Sequence, residues 1–77
     1  MSRALLDAIT ALDGTERLIA FADGLRVGYA HLGDQWITFE ETPQGGRNQY
    51  FHPDAFAAYT YICARGLGEA VFRLIEP

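Results

Sequence analysis

A chain of 77 residues is one domain, 1–77, of a size that buries only about 60% of the surface its unfolded form exposes, so its stability is modest. With 49% hydrophobic and 21% charged residues it is globular and not disordered. Its six basic residues are all arginines set against ten acidic ones, and a net charge of -4 repels a phosphate backbone, which argues against direct DNA or RNA binding. Mild acidity keeps a small protein soluble and also suits a basic protein partner.

Cys63 is the only cysteine, so no intrachain disulfide forms and a reducing, cytosolic compartment is expected. Met1 to Leu6 is no apolar h-region with a small-residue cleavage site, and no apolar run approaches membrane-spanning length. Neither a signal peptide nor a membrane anchor is expected.

Ser2 is placed to cap a first helix of about three turns, whose Leu5, Leu6, Ile9 and Leu12 form one stripe of a 3.6-residue period before Gly14 stops it. A helix this short needs its leucine stripe buried, and the sheet that follows is the surface for it.

That sheet is a three-stranded meander over 17–41, broken at Asp23-Gly24 and Gly33-Asp34. A two-residue turn at Asp23-Gly24 sets Ala22 against Leu25, Ala20 against Val27 and Leu18 against Tyr29, and on the other face Ile19 against Gly28, Phe21 against Arg26 and Arg17 against Ala30. A two-residue turn at Gly33-Asp34, with glycine first as a type II′ turn wants, sets Ile37 beside Ala30, Phe39 beside Gly28 and Glu41 beside Arg26. The face with Ile19, Phe21, Gly28, Ala30, Leu32, Ile37 and Phe39 is then the expected core, with small central residues that let a helix approach. The opposite face shows Leu18, Leu25, Val27, Tyr29, His31, Trp36, Thr38 and Glu40, a mixture that suits a protein interface or the seat of the second helix. A three-residue turn over Gly33, Asp34 and Gln35 would flip the third strand and give a rival core.

Residues 42–49 (TPQGGRNQ) have the composition of a long loop, a solvated hairpin tip or a segment that orders on a partner, with Gln44, Arg47, Asn48 and Gln49 as its hydrogen-bonding side chains. Its two glycines lack the spacing and the following helix of a phosphate cradle. Arg47 to Phe51 suits a short fourth strand. A second helix follows, with Pro53 at its first position, Asp54 in its first turn, a Phe51–Phe56 hydrophobic staple and Gly66 at its end. Ala55, Phe56, Tyr59, Ile62 and Cys63 make its apolar side, with Cys63 a buried small hydrophobe. Residues 69–76 read as a last strand on an edge of the meander. The fold class is α+β: a small antiparallel sheet, the 17–41 meander plus one or two further strands, packed with two helices in the order α-β-β-β-(β)-α-β.

No catalytic signature emerges. His31, His52, Cys63 and the carboxylates show none of the recurring metal-ligand spacings, and no cofactor is implied. A cysteine within an apolar helical face is an inert thiol. Asp34, Glu40 and Glu41 are the carboxylates that could meet arginines or lysines of a partner, although two glutamates closing a strand also serve to discourage edge aggregation.

The small size, mild acidity, compact α+β plan and solvent-facing Asp34, Glu40, Glu41 and Gln44 to Gln49 resemble small anti-CRISPR proteins of phages and mobile elements, and within that group are most similar to those directed at type I-C Cascade. The resemblance implies a stoichiometric inhibitor, not an enzyme, acting in the bacterial host cytoplasm. It would bind a basic DNA-recognising surface of a Cascade subunit and exclude target DNA. Tyr29, Asp34, Gln35, Trp36, Thr38, Glu40, Glu41, Gln44, Arg47, Asn48 and Gln49 are the expected interface. An accessory or regulatory subunit, a monomer or a homodimer through the Trp36 face, is the alternative.

Overall fold

The structure, a computed structural model, describes residues 3–76. Asp23 and Gly24 take φ of 53° and 77°, as both central residues of a type I′ turn must, and Gly33 takes φ of 64°, as the first central residue of a type II′ turn must. Strands β1 (Arg17–Ala22), β2 (Leu25–Leu32) and β3 (Gln35–Glu41) pair antiparallel in the register these turns dictate. Gly28 lies between Ile19 and Phe39, and Arg26 between Phe21 and Glu41. Leu32 pairs with Gln35, so the turn holds two residues and the three-residue rival is not adopted.

Beyond the meander, β4 (Arg47–His52) pairs with β3 and a short β5 (Arg73–Ile75) pairs with β1, giving the order β4-β3-β2-β1-β5. The expected long loop is a tight hairpin tip. Thr42 closes it: its N–H donates to Gly46 O (2.8 Å), its carbonyl accepts from Gly45 N–H (3.0 Å) and its Oγ1 accepts from Gly46 N–H (2.9 Å). The last strand is shorter than the sequence suggests, because Ala70 N–H turns back to Leu67 O (3.2 Å) before the chain reaches β1.

Helix α1 (Arg3–Thr10) stops well before Gly14. Near its end Ile9 O accepts from Trp36 Nε1 (3.1 Å) and from Leu12 N–H (3.2 Å), and just beyond the helix His31 Nδ1 lies 3.0 Å from Leu12 O. The expected Ser2 cap lies outside the described residues. In α2 (Ala55–Ala64) the cap is Asp54, whose carboxylate accepts from Ala57 N–H (2.8 Å), and Pro53 precedes the cap instead of opening the helix. The Phe51–Phe56 staple is not formed, since Phe51 belongs to β4 and both rings are exposed. At the other end Gly66 (φ 78°) gives its N–H to Cys63 O (2.9 Å) and Leu67 gives its N–H to Ile62 O (3.1 Å), a Schellman motif that tucks Leu67 into the core beside Ile62. The buried stripe of α2 runs through Ala55, Ala58, Tyr59 and Ile62, and Cys63, beside that stripe, is exposed and not buried as expected.

Both helices cover one face of the sheet. Ile9, Leu12, Ala55, Ala58, Tyr59, Ile62 and Leu67 pack on Leu18, Val27 and Tyr29 as one cluster, with Trp36 and Phe72 at its margin. The helix-covered core is therefore the face expected to be either a protein interface or the seat of the second helix, and the latter holds; the face expected as core, although its Ile19, Ala30, Ile37 and Phe39 are buried, has no helix on it among the described residues. Polar tips on the covered face suggested solvent, yet each of three has an internal partner: Trp36 Nε1 on Ile9 O, Thr38 Oγ1 2.9 Å from His52 Nε2, and Glu40 Oε1 accepting from Arg65 Nη2 at 2.8 Å. The space over Gly28 is filled by a ring instead of a helix, for a Cβ there would collide with the Phe39 ring. Gly28→Ala is expected to cost about 1–3 kcal/mol by urea denaturation, and much less in a Phe39→Ala background where the ring is gone; equal costs in both backgrounds would contradict this packing.

Candidate interaction surface

Cross-strand pairs share a face, so the register lays the open face out in rows across the strands. One row reads Phe21, Arg26, Glu41, Arg47; the next Arg73, Ile19, Gly28, Phe39, Gln49; the next Ile75, Arg17, Ala30, Ile37, Phe51; the last Leu32, Gln35. Phe39 is only 3% exposed although no helix covers it. The Arg26 and Arg47 guanidinium carbons lie 5.7 and 4.9 Å from its ring centroid, and Glu41 pairs with both arginines, with Arg47 Nη1 at 3.8 Å from Oε2. Around this sealed centre, Phe21 (79%), Phe51 (60%), Ile75 (49%) and Leu32 (48%) are exposed.

The expected interface residues are not brought together. Tyr29, Thr38 and Glu40 are buried beneath the helices, and Trp36, half-buried, stacks on His31 with ring centroids 3.8 Å apart and caps α1. They hold the two layers together. Asp34 and Gln35 are exposed at the β2–β3 turn, whereas Glu41 and Gln44 lie toward the opposite end of β3, about 20 Å along the strand. Arg47, Asn48 and Gln49 are exposed on β4, with Arg47 and Gln49 on the open face and Asn48, opposite Glu40, on the other. Of the three carboxylates proposed to meet a basic partner, Glu40 is 4% exposed and bonded to Arg65, and Glu41 is shared by two arginines, which leaves Asp34 alone. An acidic docking patch is not assembled. The residues the sequence reading overlooked are Phe21, Arg26, Leu32, Phe51, Arg73 and Ile75. A signal was there: the same register placed two arginines, Arg17 and Arg26, on the face taken as core.

An open notch of about 400 Å³ beside this face is lined by Phe21, Leu25, Arg26, Glu41 and Pro43, and its one charged pair is already mutual. Among the described residues no three His, Cys, Asp or Glu side chains lie together as metal ligands, and no helix is long and apolar enough to cross a membrane. Comparison with protein-family models, curated proteins and solved structures finds no match.

Two measurements test the covered face. The Tyr29 hydroxyl is buried without a hydrogen-bond partner among the described residues, and burial, with Cys63 and Tyr59 nearby, pushes its pKa up. Tyr29→Phe removes an unsatisfied polar group, so it is expected to leave thermal stability unchanged or raise it by up to about 1–2 kcal/mol; a large loss would mean the hydroxyl is bonded. His52 is held below its ordinary 6.5 by burial, opposed by the Asp54 carboxylate. A histidine with a depressed folded pKa contributes stability above the unfolded value and loses it as pH falls from there through the folded value. Between about pH 7.5 and pH 5.5 the wild type is therefore expected to lose more stability than His52→Gln, and parallel losses would refute the assignment.

Proposed function

We propose that this protein acts by stoichiometric protein binding, without covalent chemistry, and that its contact surface is the open sheet face. The observation that carries this reading is the exposure of Phe21, Leu32, Phe51 and Ile75 on one face of the sheet that no helix covers. A sheet face that leaves large apolar side chains exposed among polar and arginine side chains has the mixed character of an interaction site. The polar side chains of this face are Arg17, Arg26, Arg47, Arg73, Gln35 and Gln49. Aromatic and arginine side chains are also the types that dominate binding energy at protein interfaces.

The resemblance to small anti-CRISPR proteins gives this reading its specific form: the partner is the Cascade surveillance complex, and the effect is exclusion of target DNA. The paired state of Glu40 and Glu41 favours steric blocking by the mixed apolar and arginine face over mimicry of DNA phosphates. The test is capture by purified Cascade followed by target-DNA binding. Wild-type protein is expected to bind and to block DNA, and a Phe21→Asp, Phe51→Asp double variant to remain folded while losing at least about a hundredfold in affinity. Unimpaired DNA capture at saturating protein would reject Cascade as the target. Full potency of the double variant would reject the open face.

A further inference from the structure

The open face is charged oppositely to the chain as a whole. It carries four of the six arginines, Arg17, Arg26, Arg47 and Arg73, against one strand carboxylate, Glu41, in a protein of net charge -4. Arg26 and Arg47 share Glu41, Arg17 gives its Nη1 to the carbonyls of Gly14 (2.9 Å) and Glu16 (2.8 Å), and Arg73 is exposed on β5. Hydrogen bonds to carbonyls leave a guanidinium's charge in place, so the face retains an excess of positive charge beside its exposed apolar side chains.

We infer that the occupant of this face is an acidic segment of a partner protein that carries apolar side chains between its carboxylates; this rests on the protein-binding reading above. Carboxylates would complete the arginines bidentately, and the apolar residues would cover Phe21, Phe51, Leu32 and Ile75. A second copy fits poorly. Two such faces would oppose like charges. A single-stranded nucleic acid fits poorly as well. Phe39 is sealed under Arg26 and Arg47, and Phe21 and Phe51 stand at opposite corners, two rows and three strands apart, farther than neighbouring bases reach.

The test uses three fluorescein-labelled probes read by anisotropy: a peptide of about eight residues alternating Glu with Leu and Phe, long enough to cross the face, its Lys-for-Glu counterpart, and an oligothymidine. The Glu peptide alone is expected to bind, with affinity that falls on adding salt. Arg73→Glu and Arg47→Glu are each expected to weaken it about tenfold, and Arg3→Glu, which changes net charge equally but lies on α1, less than about twofold. Circular dichroism checks that each variant is folded, and the salt dependence of the wild type holds the test even if one is not. The inference is overturned if the Glu peptide shows no saturable binding at about millimolar concentration, if the Lys peptide or the oligothymidine binds more tightly, or if light scattering shows a dimer that Phe21→Asp dissociates. Should the Glu peptide fail while Phe21→Asp, Phe51→Asp still abolishes binding of a proven partner, the partner's chemistry falls and the protein-binding reading stands.

Discussion

Two tight turns set the parity of the whole sheet. With Asp23-Gly24 and Gly33-Asp34 each confined to two residues, every side chain from Arg17 to Glu41 is assigned to one face or the other, and β4 and β5 inherit that assignment by pairing with β3 and β1. A slip of one residue in either hairpin would set a strand's arginines among its neighbours' buried aliphatics. The glycine and aspartate backbones at these turns, at φ values other residues resist, thus decide which groups meet solvent.

Parity leaves two faces competing for the helices, and charge separates them. Covering the Phe39 face would bury Arg26 and Arg47 with one carboxylate between them, leaving an uncompensated charge at a cost of several kcal/mol. The other face asks for no such burial. Its glutamate meets Arg65 at the end of α2, its threonine meets His52, and its tryptophan closes the last turn of α1. Polar groups on that face bind the helices to the sheet, while Leu18, Val27 and Tyr29 supply the apolar contact. One face consequently holds the fold and the other remains open.

The pairing of the meander was legible because the turn dipeptides carry their own stereochemistry, and each cross-strand pair expected from them is present. The choice of face was not, because Trp36, Thr38 and Glu40 look solvent-facing until their partners, which come from α1, β4 and the end of α2, are placed in three dimensions. Gly28 misled in the same way: the room it leaves accommodates a cross-strand phenylalanine and not a helix. Pro53 suggested the start of α2 two residues too early, since an aspartate that reaches Ala57 N–H caps more strongly than a proline sets the first turn. The open-face residues on β4 and β5 depended on pairings with β3 and β1 that no short-range signal in the sequence specifies.

The division of the sheet into a helix-covered face and an open arginine and phenylalanine face is the claim on which the functional reading stands. Fluorine NMR of the five phenylalanines, labelled with fluorophenylalanine and exposed to an inert paramagnetic chelate, tests it most directly. Phe21, Phe51 and Phe56 should relax strongly and Phe39 weakly, as their exposures of 79, 60, 53 and 3% require. A shielded Phe21 and Phe51 in the monomer would place a layer on the face described as open and contradict the account.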